Sequence, residues 1–173
     1  NVIGGGDVST HRLLPDLMRG FARNESVHIR NPSAVRPWQH VLDCLHGYLL
    51  LAQSVLDEDG SGAWNFGPDP LNTISVQNLV VEAQKTLPRK LNVVLHQSDI
   101  EFKEEFAIEL NSSLSKQLLG WEPVLEFSET IKLTLDWYLK EHNGQNAVAL
   151  CTRQINEYLN MLKQTQDANF YQE

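Results

Sequence analysis

The stretch that most constrains the fold is residues 30–43, RNPSAVRPWQHVLD, which joins a short alternating segment to a long helical pattern. Before it, Val27 and Ile29 alternate with polar residues, which predicts a strand over residues 26–30. After it, apolar residues recur at helical spacing, which predicts a helix with a broad apolar face over residues 41–56. The chain must therefore pass from a strand into a long helix through this stretch.

The same stretch holds the densest group of anion-binding, aromatic and titratable residues in the chain: Arg36, Pro37, Trp38, Gln39 and His40. A guanidinium can hold a phosphate through two parallel hydrogen bonds, and a neighbouring proline restricts the backbone around it. These residues are compatible with a fixed phosphate contact. They are equally compatible with a surface arginine beside a half-buried tryptophan, so the residues alone leave both interpretations open.

Periodicity and turn residues predict the other elements. Helices are expected over residues 11–23, from a cap at Thr73 or Ser75 to about Thr86, over residues 112–119 closed by Gly120, and over residues 128–141. Short strands are expected over residues 63–68, 91–95 and 106–110. The prediction is one α/β unit with more helix than strand.

The segment after residue 143 has the pattern of an amphipathic helix. Its apolar positions recur in three- and four-residue steps, at Val148, Cys151, Ile155, Leu159 and Leu162. This face could pack on its own domain or against another subunit, and both interpretations stay open. Residues 164–173 are polar and are expected to fray.

Composition excludes some functions. The net charge of −8 argues against a general nucleic-acid or membrane-surface binder, since both need a basic face. Cys44 and Cys151 have no metal or disulfide spacing, so we expect two buried free thiols in a cytoplasmic protein. The longest apolar run is too short to span a bilayer.

The chain begins on a glycine-rich loop, NVIGGGD, without an initiating Met, so we expect a piece of a longer protein. Such a loop can cradle an anion on its backbone N–H groups, or it can be a plain connection. Its spacing matches neither common glycine-rich phosphate motif.

No catalytic or metal-binding constellation is visible, because the histidines lack ligand spacing and no nucleophile motif occurs. What remains is a set of donors for a small anion: the guanidinium groups of Arg12, Arg30 and Arg36 and the amides of Asn1 and Asn65. With Trp38 as a flat surface, they could hold a diphosphate and stack on a base or sugar. The residues describe a binding half-site.

Several blocks, namely NVIGGGD, RLLPDLMRGF, IRNPSAVRPWQHVLD, GYLLLA, AWNFGPDP, LLGWEP and WYLK, together resemble the C-terminal half of CDP-glucose 4,6-dehydratases. These enzymes are extended short-chain dehydrogenase/reductases, and the resemblance covers residues 1–140. It implies a mainly helical α/β substrate-binding portion whose Rossmann core, with bound NAD, lies in a missing N-terminal half. Residues 1–143 would form the nucleotide-sugar-binding part, and residues 144–173 a C-terminal helix and tail.

The resemblance also implies roles for single residues. Asn1, Arg12, Arg36 and Asn65 would lie near the substrate diphosphate and nucleotide, and Leu13, Ile29 and Arg30 near the base. The family's YxxxK motif and dinucleotide fingerprint are absent from this chain, so it would be inactive alone and would not bind NAD. The intact enzyme, expected to be a homo-oligomer without nucleic-acid or membrane partners, would form CDP-4-dehydro-6-deoxy-glucose.

One loop departs from the family pattern, which usually reads L-D-x-S-K-A where residues 110–115 read LNSSLS. Two other interpretations stay open: a non-catalytic α/β binding or assembly module, and the equivalent part of another nucleotide-sugar dehydratase or epimerase.

Overall fold

Helices dominate the computed structural model, which describes residues 1–57, 60–68, 74–96 and 108–170, with side chains as far as residue 165. The helices are α1 (Leu13–Arg23), α2 (Val41–Leu56), α3 (Val76–Thr86), α4 (Ser113–Leu119), α5 (Phe127–His142) and α6 (Ala147–Phe170). The strands are β1 (Val2–Ile3), β2 (Val27–Ile29), β3 (Val35–Arg36), β4 (Gln39–His40), β5 (Ile74–Ser75) and β6 (Val93–Leu95). The prediction of a mainly helical fold with short strands is confirmed.

The strands form three two-stranded pairs. β1 pairs in parallel with β4, and β2 in parallel with β6. β3 pairs antiparallel with β5, where Arg36 lies opposite Ile74. Each pair ties a segment near residues 30–40 to a distant part of the chain, so this stretch is the junction of the fold.

The core lies between α1, α3 and α5, each of which contributes side chains at helical spacing. Fully buried members include Leu17 on α1, Leu79 and Ala83 on α3, and Ile131 and Leu135 on α5. Burying apolar area of this kind is the main favourable term in folding. No helix in the described ranges is long and apolar enough to cross a membrane.

Local signals end the helices as predicted. Ser75 caps α3, its Oγ accepting a hydrogen bond from the Asn78 backbone N–H at 3.2 Å. Gly120 ends α4 in the left-handed conformation at φ 61°. His40 is the N-cap of α2, and its Nδ1 accepts from the Leu42 backbone N–H at 3.3 Å.

Residues 63–68 form no strand, contrary to prediction. Side chains hold this segment instead: the Gly67 N–H donates to Ser112 Oγ at 2.9 Å, and Ser115 Oγ donates to the Asn65 carbonyl at 2.5 Å. These serines satisfy part of the segment's backbone in place of a partner strand. Of the strand predicted over residues 106–110, residues 106 and 107 lie outside the described residues and 108–110 belong to no strand.

The glycine-rich loop packs tightly against two helices. A β-carbon on Gly5 would lie 2.1 Å from Trp137 Cγ, and one on Gly4 would lie 2.7 Å from Val41 Cγ1. Gly6 has a φ of 87°, which L-residues rarely adopt. Close packing and a turn therefore account for the three glycines.

A buried carboxylate joins three distant segments. Asp43, which is 1% exposed, accepts hydrogen bonds from the Val124 N–H at 2.8 Å, the Leu125 N–H at 3.4 Å and the Tyr158 hydroxyl at 2.9 Å. The Trp121 indole N–H adds a bond to the Asp43 carbonyl at 3.1 Å. Burial raises the pKa of Asp43, partly offset by these donors.

The final helix packs on its own domain through a face other than its apolar one, which was one of the two interpretations left open. Leu150, Gln154 and Tyr158 are its buried residues, whereas Val148 is 73% exposed and Ile155 is 45% exposed. Hydrogen bonds explain the choice, since Gln154 Nε2 donates to the Leu133 carbonyl at 2.7 Å and Tyr158 donates to Asp43. The expectation of two buried thiols is wrong for Cys151, which is exposed, while Cys44 is buried.

Gly47 of α2 lies against Phe66, whose ring packs edge-on to Trp121. A β-carbon at Gly47 would lie 2.3 Å from Phe66 Cδ1. We expect Gly47→Ala to lower the free energy of unfolding by about 1–3 kcal/mol through overpacking, although alanine favours a helix by about 1 kcal/mol over glycine. Urea denaturation measures this change. Gln53→Ala, at an exposed position of the same helix, should change stability by less than about 0.5 kcal/mol; a gain in Gly47→Ala would contradict the tight packing.

Candidate functional site

A cleft of about 200 Å³ opens at the start of α1, beside β2 and β3. Its lining includes Asn1, Leu13, Ile29, Arg30 and Arg36. Five of the seven residues that the sequence assigned to a substrate site therefore line one cavity, although they come from four separate segments of the chain.

The strands position the polar and apolar walls of this cleft. Ile29 of β2 is 5% exposed and belongs to the core, whereas Arg30 follows it with an exposed side chain. Arg36 lies in β3, and its Nη1 donates to the Val35 carbonyl at 2.8 Å. The lining thus combines a fixed apolar wall with two guanidinium groups.

Trp38 acts as an anchor of the cleft wall. It is 6% exposed, and its indole N–H donates to the Ile74 carbonyl at 2.9 Å, which joins the segment after β3 to β5. Burial leaves little of its ring to stack on a ligand, so the flat surface suggested by the sequence is not available. Its packing holds the Arg36 segment in place.

Local charge in the cleft is opposite to that of the whole protein, whose net charge is −8. Arg30 and Arg36 carry positive charge there, and Asp16 is the acidic residue of the lining. The Asp16 carboxylate forms an ion pair with Arg19. Arg19 therefore neutralises part of the Asp16 charge, and Asp16 offsets less of the positive charge of Arg30 and Arg36. The arrangement can hold a small anion.

Two predicted site residues lie elsewhere. Arg12 has a side chain that is 63% exposed and lies 3.6 Å from the Asp7 carboxylate. Hydrogen bonds from Ser9 are the main cause of the lowered pKa of Asp7. The Asn65 amide donates to the Asn111 carbonyl at 3.2 Å. Asn111 belongs to the loop of residues 110–115 that departs from the family pattern. Neither residue lines the cleft.

A histidine pair at the cleft was not predicted. His28 lines the cavity, and its Nδ1 lies 2.6 Å from Nε2 of His96, with the ring centroids 4.9 Å apart. Both residues were placed in or beside expected strands, but no sequence pattern indicated that those strands pair. The parallel contact of β2 with β6 brings the rings together.

The described residues contain no group of three or more histidine, cysteine, aspartate or glutamate side chains that could hold a metal ion. Trp137 and Val41 occupy the space next to Gly5 and Gly4 of the glycine-rich loop. The cleft itself combines two arginines with an apolar wall, a set of groups that can contact a small anion.

The fold defines a class of protein: it is that of the C-terminal part of nucleotide-sugar epimerases and dehydratases. A UDP-glucuronic acid 4-epimerase from Bacillus cereus matches with a TM-score of 0.69 and 15% identity, over 81% of this chain and 43% of that one. A UDP-glucose-4-epimerase from Stenotrophomonas maltophila matches with a TM-score of 0.71 and 18% identity, over 84% and 47%. No protein-family model matches the chain.

Sequence identity shows which enzymes of this class the chain is related to. The chain is 35% identical over 161 residues to CDP-glucose 4,6-dehydratase from Salmonella typhimurium, covering 92% of this chain and 45% of that protein. It is therefore a relative of the CDP-glucose 4,6-dehydratases, and the resemblance predicted from its motifs is confirmed. It spans less than half the length of that relative.

Proposed function

We propose that this chain is the substrate-binding C-terminal part of a CDP-glucose 4,6-dehydratase. The observation that carries the proposal is the assembly of Asn1, Leu13, Ile29, Arg30 and Arg36 around one cleft. The 35% identity to the Salmonella enzyme supports the choice of CDP-glucose among nucleotide sugars.

Each wall of the cleft has a task in this proposal. Arg36, and Arg30 beside it, hold the diphosphate of the substrate by charge-assisted hydrogen bonds. Leu13 and Ile29 form the apolar wall beside the base, and Asn1 offers an amide to the nucleotide. Arg12 and Asn65 would need to move to reach a ligand in this cleft.

The chain orients the sugar, and the chemistry occurs in the N-terminal half of the protein. NAD bound there would take the hydride from the sugar and return it after loss of water. The YxxxK motif that serves this reaction in the family is absent from residues 1–173, so this chain has no dehydratase activity by itself.

An exposed apolar face on α2 supports the proposal that a separate N-terminal half packs against this chain. Leu45, Tyr48, Leu49, Val55 and Leu56 are all at least 47% exposed. An apolar patch of this kind is unusual on an isolated soluble domain and marks an interaction surface. In this proposal the N-terminal half covers the apolar face of α2.

Arg36→Ala tests the proposed site. In the full-length protein we expect this substitution to weaken binding of CDP-glucose by about 1.5–3 kcal/mol, or roughly ten- to a hundred-fold in Kd, because a charged hydrogen-bond donor to the diphosphate is lost. Isothermal titration calorimetry with CDP-glucose and with UDP-glucose measures both affinity and base preference.

Arg23→Ala is the matched control, since Arg23 ends α1 outside the cleft, and it should bind as the wild type does. Unchanged affinity in a folded Arg36→Ala protein would reject the assigned role. Equal affinity for the two nucleotide sugars would reject the CDP preference and leave the broader class.

A further inference from the structure

The exposed face of α6 carries a line of apolar side chains, here called the α6 stripe. It consists of Val148, Cys151, Ile155, Leu159 and Leu162. The first four are exposed and Leu162 is half-buried. An apolar line on a helix surface is the pattern that pairs helices with one another.

The spacing of the stripe is the same when read in either direction. Cys151 and Leu159 lie four residues on either side of Ile155, and Val148 and Leu162 lie seven residues on either side. In an antiparallel helix pair with two-fold symmetry, each residue meets the one at the opposite offset from the axis. The stripe therefore complements a second copy of itself with Ile155 at the axis.

The opposite face of α6 is fixed to its own domain, so the stripe cannot turn inward. Tyr158 donates to the buried Asp43, and Gln154 donates to the Leu133 carbonyl at 2.7 Å. Arg153 pairs with Asp136 of α5 at 2.5 Å. These bonds hold the helix at a defined rotation and leave the stripe toward solvent.

The charges on α6 are compatible with a second copy of this chain. A net charge of −8 makes two copies repel, and an uncharged contact surface adds no close contact between like charges to that repulsion. Through residue 165, the charged residues of α6 are Arg153, Glu157 and Lys163. Arg153 and Glu157 lie 3.5 Å apart, about half a turn around the helix from Ile155. The residue opposite Lys163 in the antiparallel register would be Ala147, so no like charges meet.

We propose that α6 pairs with α6 of a second copy as an antiparallel two-fold helix pair centred on Ile155. The stripe extends over about 21 Å of helix, and a contact of that size is smaller than a standard interface of about 800 Å² per partner. The pair therefore forms in a concentration-dependent manner, unless another interface adds to it. The proposal is independent of the substrate.

Disulfide crosslinking in the intact protein, as expressed from its gene, tests the pairing and its direction. In Leu159→Cys, the introduced thiol of one copy meets Cys151 of the other, and mild oxidation should convert most of the protein to covalent dimer. The two thiols of one copy are about 12 Å apart along the helix, beyond the reach of a disulfide. Leu159→Cys combined with Cys151→Ser is the matched control and should stay uncrosslinked.

A parallel pair would crosslink the wild type through Cys151 itself, and that result would overturn the antiparallel arrangement. Sedimentation velocity over a range of concentrations provides the second measurement. Ile155→Glu should remove one association step, whereas Val81→Glu, at an exposed apolar position of α3, should not.

Two results together would reject the proposal: no intermolecular disulfide in Leu159→Cys, and an Ile155→Glu protein with the sedimenting mass of the wild type but a lower thermal stability. They would show that another part of the same chain covers the stripe.

Discussion

Asp43→Ala is expected to lower the free energy of unfolding by about 4 kcal/mol. The substitution leaves three donors without an acceptor, namely the partly buried N–H of Val124, the buried N–H of Leu125 and the buried hydroxyl of Tyr158. Each unsatisfied buried group costs about 1–3 kcal/mol. Urea denaturation followed by circular dichroism measures the loss.

Two variants isolate the cause of this loss. Tyr158→Phe removes one of the three bonds and should cost about 1–2 kcal/mol. Asp57→Ala removes an exposed carboxylate at the other end of α2 and should change stability by less than about 0.5 kcal/mol. A loss below about 1 kcal/mol in Asp43→Ala would show that water replaces the carboxylate.

His40→Asn should reveal a stability term of about 3 kcal/mol that depends on pH. His40 is 1% exposed, and burial lowers its pKa from 6.5 to about 4. The unfolded chain therefore takes up a proton before the folded protein does, so the term is present above pH 6.5 and is lost as pH falls toward 4. Asparagine can also cap α2 but does not titrate.

The measurement is the difference in unfolding free energy between His40→Asn and the wild type, at steps from pH 7.5 to pH 4. This difference should shift in favour of the variant by about 3 kcal/mol as pH falls. Asp43, whose pKa is raised by burial, has the opposite dependence, but both proteins retain it and its effect cancels. A difference that stays constant with pH would mean that the His40 ring is solvated in the folded protein.

Elements with strong local signals could be predicted from the sequence. The apolar spacing of α2 gave its bounds, and Ser75 and Gly120 gave the ends of α3 and α4, because caps and periodicity act within a few residues. The residues of the cleft came from motif resemblance. Periodicity alone could not bring Asn1, Leu13 and Arg36 together.

The features that could not be predicted share a physical reason. The buried face of α6 contains Gln154 and Tyr158, which are polar by composition and are buried because Leu133 and Asp43 accept their hydrogen bonds. No strand forms at residues 63–68, where Ser112 and Ser115 bond to the Gly67 N–H and the Asn65 carbonyl from far along the chain. A pattern of hydrophobicity does not contain these partners.

The link from Asp43 to Tyr158 also sets an order of events during synthesis. The two side chains are 115 residues apart in sequence, and at about 5–20 residues per second roughly ten seconds pass between their translation. Until residue 158 has left the ribosome, the start of α2 holds a carboxylate with an incomplete set of partners. The nascent domain can therefore complete this hydrogen-bond network only after residue 158 has emerged.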